Sequence, residues 1–234
     1  KGGNGPLIEY ATLREFLDKN VKKVLWIYYE GNDLENLKNE KKYNTLTNYI
    51  KDLNFTQNLK YRQNEINDFL IKFIQIKNKR QTTFKFRFIK FIKIHNTRNL
   101  ILNIPASSIL NIPDSLILNS QSSLPSSTPT TREIAQEFKK IIKLTKKLTN
   151  KNNTKLYFIY LPEYNRYTTT YDNTNYHLVK NIVTELKIPF IDIHEEVFVN
   201  EQNQLMLFPF KLPGHYNVDG YKKVAETIYE FTKN

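Results

Sequence analysis

"KKVLWIYYEGND", residues 22–33, decides the fold. Its first eight residues form a near-continuous apolar run. Such a run is expected of a strand buried on both faces, as in a parallel sheet. It ends at Gly31, Asn32 and Asp33, residue types that dominate turns. Two shorter runs repeat the pattern. "KLYFIYL" (155–161) is closed by Pro162, and "IPFIDIH" (188–194) predicts a third strand.

The segments around these strands carry helical spacing. In "PLIEYATLREFLDK" (6–19), Pro6 suits a first turn, and Leu7, Tyr10, Leu13, Phe16 and Leu17 recur with a helical period. Weaker helical patterns, "TLTNYIKDL" and "EINDFLIKFIQI", lie within 39–78. Helical pattern resumes at 131–148, with Thr131 as cap and Glu133 in the first turn, and again at 174–186. The closing segment, 217–232, puts Val218, Tyr221, Val224, Ala225, Ile228 and Phe231 on one face. Alternation of helix and apolar strand predicts an α/β fold with a parallel sheet and helices on both faces. Ligands of such sheets sit beyond the carboxyl ends of the strands. Three segments qualify: the acidic loop 30–36, "PEYNRY" after the second strand, and "LPGHYNVDGY", reached through 195–214.

Composition narrows the chemistry. The chain has 234 residues, 40% of them hydrophobic, enough for one α/β domain with a large insertion. It has no cysteine, which excludes disulfides, thiolate metal sites and a Cys nucleophile. Net charge is +12, but Lys, Asn and Ile are all heavily used. The surplus therefore reads as compositional bias, and with no recognised nucleic-acid motif a nucleic-acid partner is not expected. From Phe69 to Pro113 there are nine Lys and Arg and no acidic residue. "TFKFRFIKFIKI" within it mixes aromatics and cations. It alternates briefly as a strand, and as a helix gives a wide apolar face with basic flanks. An insertion helix packed on the core is the plainer reading; peripheral membrane contact through 72–98 is the other. Residues 103–130, rich in Pro, Ser and Asn, read as a long loop.

Two of the three segments, with the opening "GGNGP" (2–6), resemble blocks of the SGNH (GDSL-like) hydrolase superfamily. "EGND" is similar to its Gly-x-Asn-Asp block, with Glu30 in place of the first glycine. "GGNGP" is similar to the glycine block, with Gly3 the best match and Gly2 and Gly5 as alternatives. "LPGHYNVDGYKKVAETI" is similar to the last block, with His215 in the position of the base. The resemblance implies a flavodoxin-like three-layer α/β/α fold with a helical insertion at about 38–130. It implies a serine esterase or O-acyltransferase acting on a small-molecule or glycan acyl ester. Asn32 and the Gly3 N–H would hold the oxyanion and His215 would serve as base, with no cofactor. Such donors suit the chemistry, because attack on an ester carbonyl places charge on its oxygen.

Two departures follow. No Gly-Asp-Ser occurs, and all eight serines lie between Ser107 and Ser127. The family's serine block precedes its glycine block, so the expectation is an N-terminally incomplete domain whose nucleophile lies upstream of Lys1. Leu212 also stands where the family has an acid; Asp192, Glu195, Asp219 or a backbone carbonyl would orient His215 instead. Plainer readings stand beside these. "GND" taken alone is a turn. Glu163 and Arg166 are candidate substrate-binding residues, or part of an ordinary polar loop. His95, His177 and His194 lack the placement of a base. His194 with Glu195 and Glu196 has no i, i+4 His pair or third ligand, so no metal is expected.

Overall fold

The computed structural model describes residues 3–82 and 131–233. The chain divides into two compact units, residues 1–58 with 128–234, and residues 59–127.

The first unit is built on three parallel strands in the order β1 (Lys23–Tyr29), β2 (Lys155–Leu161), β3 (Phe190–Asp192). β1 and β2 pair along their full length, from Lys23 opposite Lys155 to Tyr29 opposite Leu161. β2 and β3 pair from Phe158 opposite Phe190 to Tyr160 opposite Asp192. The third strand is shorter than its apolar run. After Asp192 the chain turns, and His194–Phe198 forms a single π-helical turn that buries Val197 and Phe198. His194 therefore belongs to a helical turn and not to a strand end.

Period-two alternation assigns the strand side chains to two cores. Trp26, Tyr28, Leu156, Phe158 and Tyr160 face one of them. It is closed by α1 (Pro6–Phe16), α2 (Asp33–Glu40), α3 (Asn44–Lys51), α5 (Thr131–Lys151) and α6 (Thr174–Glu185). Tyr28 stacks on Tyr160 at 5.3 Å between ring centroids and meets Phe138 of α5 edge-on. α5 carries two fully buried threonines, Thr145 and Thr149, whose hydroxyls donate to carbonyls four residues back. That satisfies them without a partner from the core.

Tyr157, Ile159 and Ile191 face the opposite way, against Phe198, Phe208 and Tyr216 and against Val224 of α7 (Val218–Thr232). α7 does not bury the whole apolar stripe expected of it. Gly220, Val224 and Thr232 are buried, while Val218, Tyr221 and Phe231 are half or more exposed. Gly220 packs against Leu207, where a Cβ would approach the carbonyl oxygen to 2.7 Å. That contact rotates the i, i+4 row of Gly220 inward. On this face β1 is left open, with Leu25 and Ile27 about two-fifths exposed. A groove of about 480 Å³ runs along β1, lined by Leu25, Ile27, Trp26 and, from α1, Ile8, Glu9 and Phe16.

Among the described residues, the second unit contains a short turn (Leu59–Tyr61) and α4 (Gln63–Thr82). The stretch "TFKFRFIKFIKI" and the serine-rich loop 103–130 lie outside the described residues, as does His95.

Candidate active site

The first strand delivers its turn where the sheet rule requires. β1 ends at Tyr29, and α2 begins at Asp33, sooner than the acidic loop 30–36 suggested. Asp33 turns back, and its Oδ2 accepts the Tyr29 N–H at 2.8 Å. The carboxyl is buried, and burial pushes it up to about 7; the Tyr29 N–H favours the charged form, and the neighbouring Glu40 opposes it. Asp33 thus fixes the turn from inside. Asn32 takes the N-cap position of α2 but makes no side-chain cap bond. Asparagine at that position ordinarily spends its side chain on the helix. Here the amide stays exposed, and it lines a polar cleft of about 240 Å³ with Glu30, Glu35, Lys38 and Asn175. Gly31 lets the Tyr29 ring lie close against the turn. A Cβ there would lie 2.6 Å from the Tyr29 ring and 3.3 Å from Glu163.

Gly3 is joined to this turn through one side chain. Asn36, one helical turn into α2, donates its backbone N–H to Asn32 O at 2.7 Å. Its Nδ2 donates to Asn4 O at 3.1 Å, and its Oδ1 lies 3.8 Å from the Cβ position of Gly3. Gly3 has φ +90°, the left-handed region that glycine adopts without strain. Glu40 secures the following residues by accepting the N–H groups of Gly5 (2.6 Å) and Leu7 (3.0 Å). Glu9 of α1, half-buried, joins the buried carboxyls of Asp33 and Glu40. Burial, then Asp33 and Glu40, push it up to about 8, and its Oε2 is buried without a hydrogen-bond partner among the described residues.

His215 reaches the same end of the sheet. Tyr216 is buried and donates its hydroxyl to Pro162 O, at the end of β2, at 2.6 Å. Asn217 bonds to the carbonyls of Met206 and Leu207 and caps α7 by accepting the Gly220 N–H. Held between these anchors, the exposed imidazole packs on the Tyr29 ring, with centroids 5.0 Å apart. Among the described residues its ring makes no hydrogen bond. Leu212 is exposed. Asp192 uses Oδ2 elsewhere, accepting from the Tyr176 hydroxyl (2.6 Å) and from Lys180 (3.0 Å), while its Oδ1 is buried without a hydrogen-bond partner among the described residues. Glu195 lies 4.0 Å from His194, and Asp219 sits in the first turn of α7.

The loop after β2 holds the floor of the site. Glu30 and Arg166 form a buried ion pair, with side chains 2% and 5% exposed. Glu30 also accepts from the Tyr160 hydroxyl and the Glu163 N–H. The Arg166 guanidinium donates to Asn173 and lies over the Tyr171 and Tyr176 rings. Burial works against its charge, but the bond to Glu30 and the charge of that carboxylate win, and its pKa is raised. Arg166 therefore organises the site from beneath. Glu163 is half-buried beside Gly31 and accepts from Tyr171 (2.6 Å) and Asn165 (3.1 Å). His194 pairs through Nδ1 with the Tyr167 hydroxyl at 3.0 Å; burial, then Arg166, lower its pKa. His177 is exposed on α6.

Sequence reasoning missed Tyr29 and Glu30. Tyr29 was read as strand filling, yet alternation places it on the face of Leu25 and Ile27, where His215 arrives. Burial and then the Glu163 charge push its hydroxyl up to about 12. Glu30 stood out only as a departure, and its buried charge required an Arg partner that "PEYNRY" supplies. Among the described residues no cluster of three or more His, Asp or Glu side chains is arranged to hold a metal ion. Comparison with protein-family models, curated proteins and solved structures returns no significant match to this chain.

Proposed function

We propose that this chain supplies the oxyanion donors and the base of an SGNH-type serine esterase or O-acyltransferase, on a flavodoxin-like three-layer frame. One observation carries the reading. Asn32 leaves its amide unused at the N-cap of α2, one Asn36 side chain from the Gly3 loop, while His215 packs on the strand's last residue. A serine Oγ attacks the carbonyl carbon of an acyl ester as His215 takes its proton. The carbonyl oxygen becomes an oxyanion, held by the Gly3 N–H and Asn32 Nδ2. Collapse expels the alcohol, which recovers the proton from His215. Water or a sugar hydroxyl then resolves the acyl-enzyme. The nucleophile belongs to a strand other than the three described, and the free edge of β1 is where a parallel sheet accepts one. The substrate is a small-molecule or glycan acyl ester.

Asn32→Ala should lower kcat for p-nitrophenyl acetate by about 10²–10³ with little change in KM. Unchanged kcat sinks the assignment. A second reading, a non-catalytic binding domain on the same frame, draws on His215, whose ring has no carboxylate partner among the described residues. Absence of turnover with intact ester binding would favour it.

A further inference from the structure

We infer that α4 is a membrane-surface helix that lies on anionic lipid. Five of its seven apolar residues, Ile66, Phe69, Leu70, Phe73 and Ile74, follow the i, i+3, i+4, i+7, i+8 spacing of one face; Ile71 and Ile76 lie outside it and are exposed too. That face is open. Phe69 is 66% exposed, Phe73 55% and Ile74 52%, and among the described residues Phe69 and Phe73 stack on each other, with centroids 6.5 Å apart. Soluble helices bury such a stripe, and leaving it in water forfeits about 25 cal/mol for each Å² of apolar surface.

Charge selects the occupant. The acidic side chains of α4, Glu65 and Asp68, sit in its first two turns, and Glu65 is held by Arg62 at 2.6 Å. From Phe69 the sequence carries nine cations and no acid as far as Pro113, beginning with the exposed Lys72 and Lys77. An apolar stripe followed by unopposed cations matches the acyl boundary and headgroups of an anionic bilayer. A nucleic acid would engage the cations and stack on the phenylalanines, but would leave Ile66, Leu70 and Ile74 without a role.

The test is co-sedimentation of the full chain with phosphatidylcholine vesicles, with and without phosphatidylserine. Binding should require phosphatidylserine. Lys72→Glu with Lys77→Glu should weaken it by about tenfold or more. Phe69→Glu with Phe73→Glu should weaken it by at least about a hundredfold. Both double variants should keep the wild-type thermal transition, because all four side chains are exposed. The inference is overturned by absence of vesicle binding, by equal binding to both vesicle types, or by binding that survives the phenylalanine substitutions. Oligonucleotide binding without vesicle binding overturns it as well.

Discussion

Asn32 and Glu9 show how single side chains here depart from their ordinary economy. Asn32 sits where an asparagine caps a helix and does not cap it. Glu9 sits where a carboxyl loses its water and gains no partner for Oε2 among the described residues. The second departure has a pH signature. Folding raises Glu9 from an ordinary 4.5 to about 8, and Asp33 from 3.8 to about 7. The folded state therefore binds more protons than the unfolded chain across that window, and stability falls as pH rises from about 4 to about 8. Glu9→Gln removes one of these two contributions. Urea unfolding at pH 8 should show it more stable than wild type by on the order of 1–3 kcal/mol, with a flatter pH profile. A steeper profile, or a loss of stability at pH 8, would mean that Glu9 is charged and paired in the fold.

At the level of elements, the short loop that links Glu30 to α2 works because β2's loop answers it. Arg166 crosses to Glu30, and Tyr160 and the Glu163 N–H complete the carboxylate's bonds. Arg166→Met leaves Glu30 buried and unpaired, so it should cost about 3–5 kcal/mol, read as a lowered urea midpoint. A cost under about 1 kcal/mol would show that water reaches Glu30. The partnership also marks where sequence stops being informative. The strands were legible because long apolar runs are costly anywhere else, and β2 falls where its run predicts. α2 was not legible. "DLENLKNE" has one buried leucine, and its helix is fixed by Asp33 folding back on Tyr29 and by Glu40 reaching Gly5 and Leu7. Those are long-range or turn-specific bonds with no periodic trace. "IPFIDIH" promised seven strand residues and gave three, because Val197 and Phe198 gain more by turning into the second core.

Taken whole, the first unit has one sheet face closed and the other closed only over β2 and β3. β1 reads as a central strand yet stands at the edge, with Leu25 and Ile27 exposed and Trp26 and Tyr28 buried. Natural edge strands are usually blunted by charge, proline or a bulge, and β1 has none within its apolar stretch. Substitutions should report the asymmetry directly. Ile27→Lys should cost less than about 1 kcal/mol in chemical denaturation, whereas Phe158→Ala, across the sheet in the closed core, should cost about 3–5 kcal/mol. Equal costs would mean that β1 is covered in solution. The same open edge decides how much of the site can be read from this chain. Gly31, Asn32 and His215 were legible because turn glycines and a histidine ahead of a helix are local signals. The role of Arg166 was not, because it depends on Glu30, 136 residues away in sequence, and on burial that only the folded sheet creates.

The central claim is that Asn32 and His215 serve a serine carried on a further strand. Fluorophosphonate labelling of the protein, with the labelled residue mapped by mass spectrometry, tests it most directly. The account predicts one labelled serine, labelling abolished by His215→Ala, and labelling slowed by about 10²–10³ in Asn32→Ala. Absence of labelling, or labelling indifferent to both substitutions, would contradict it.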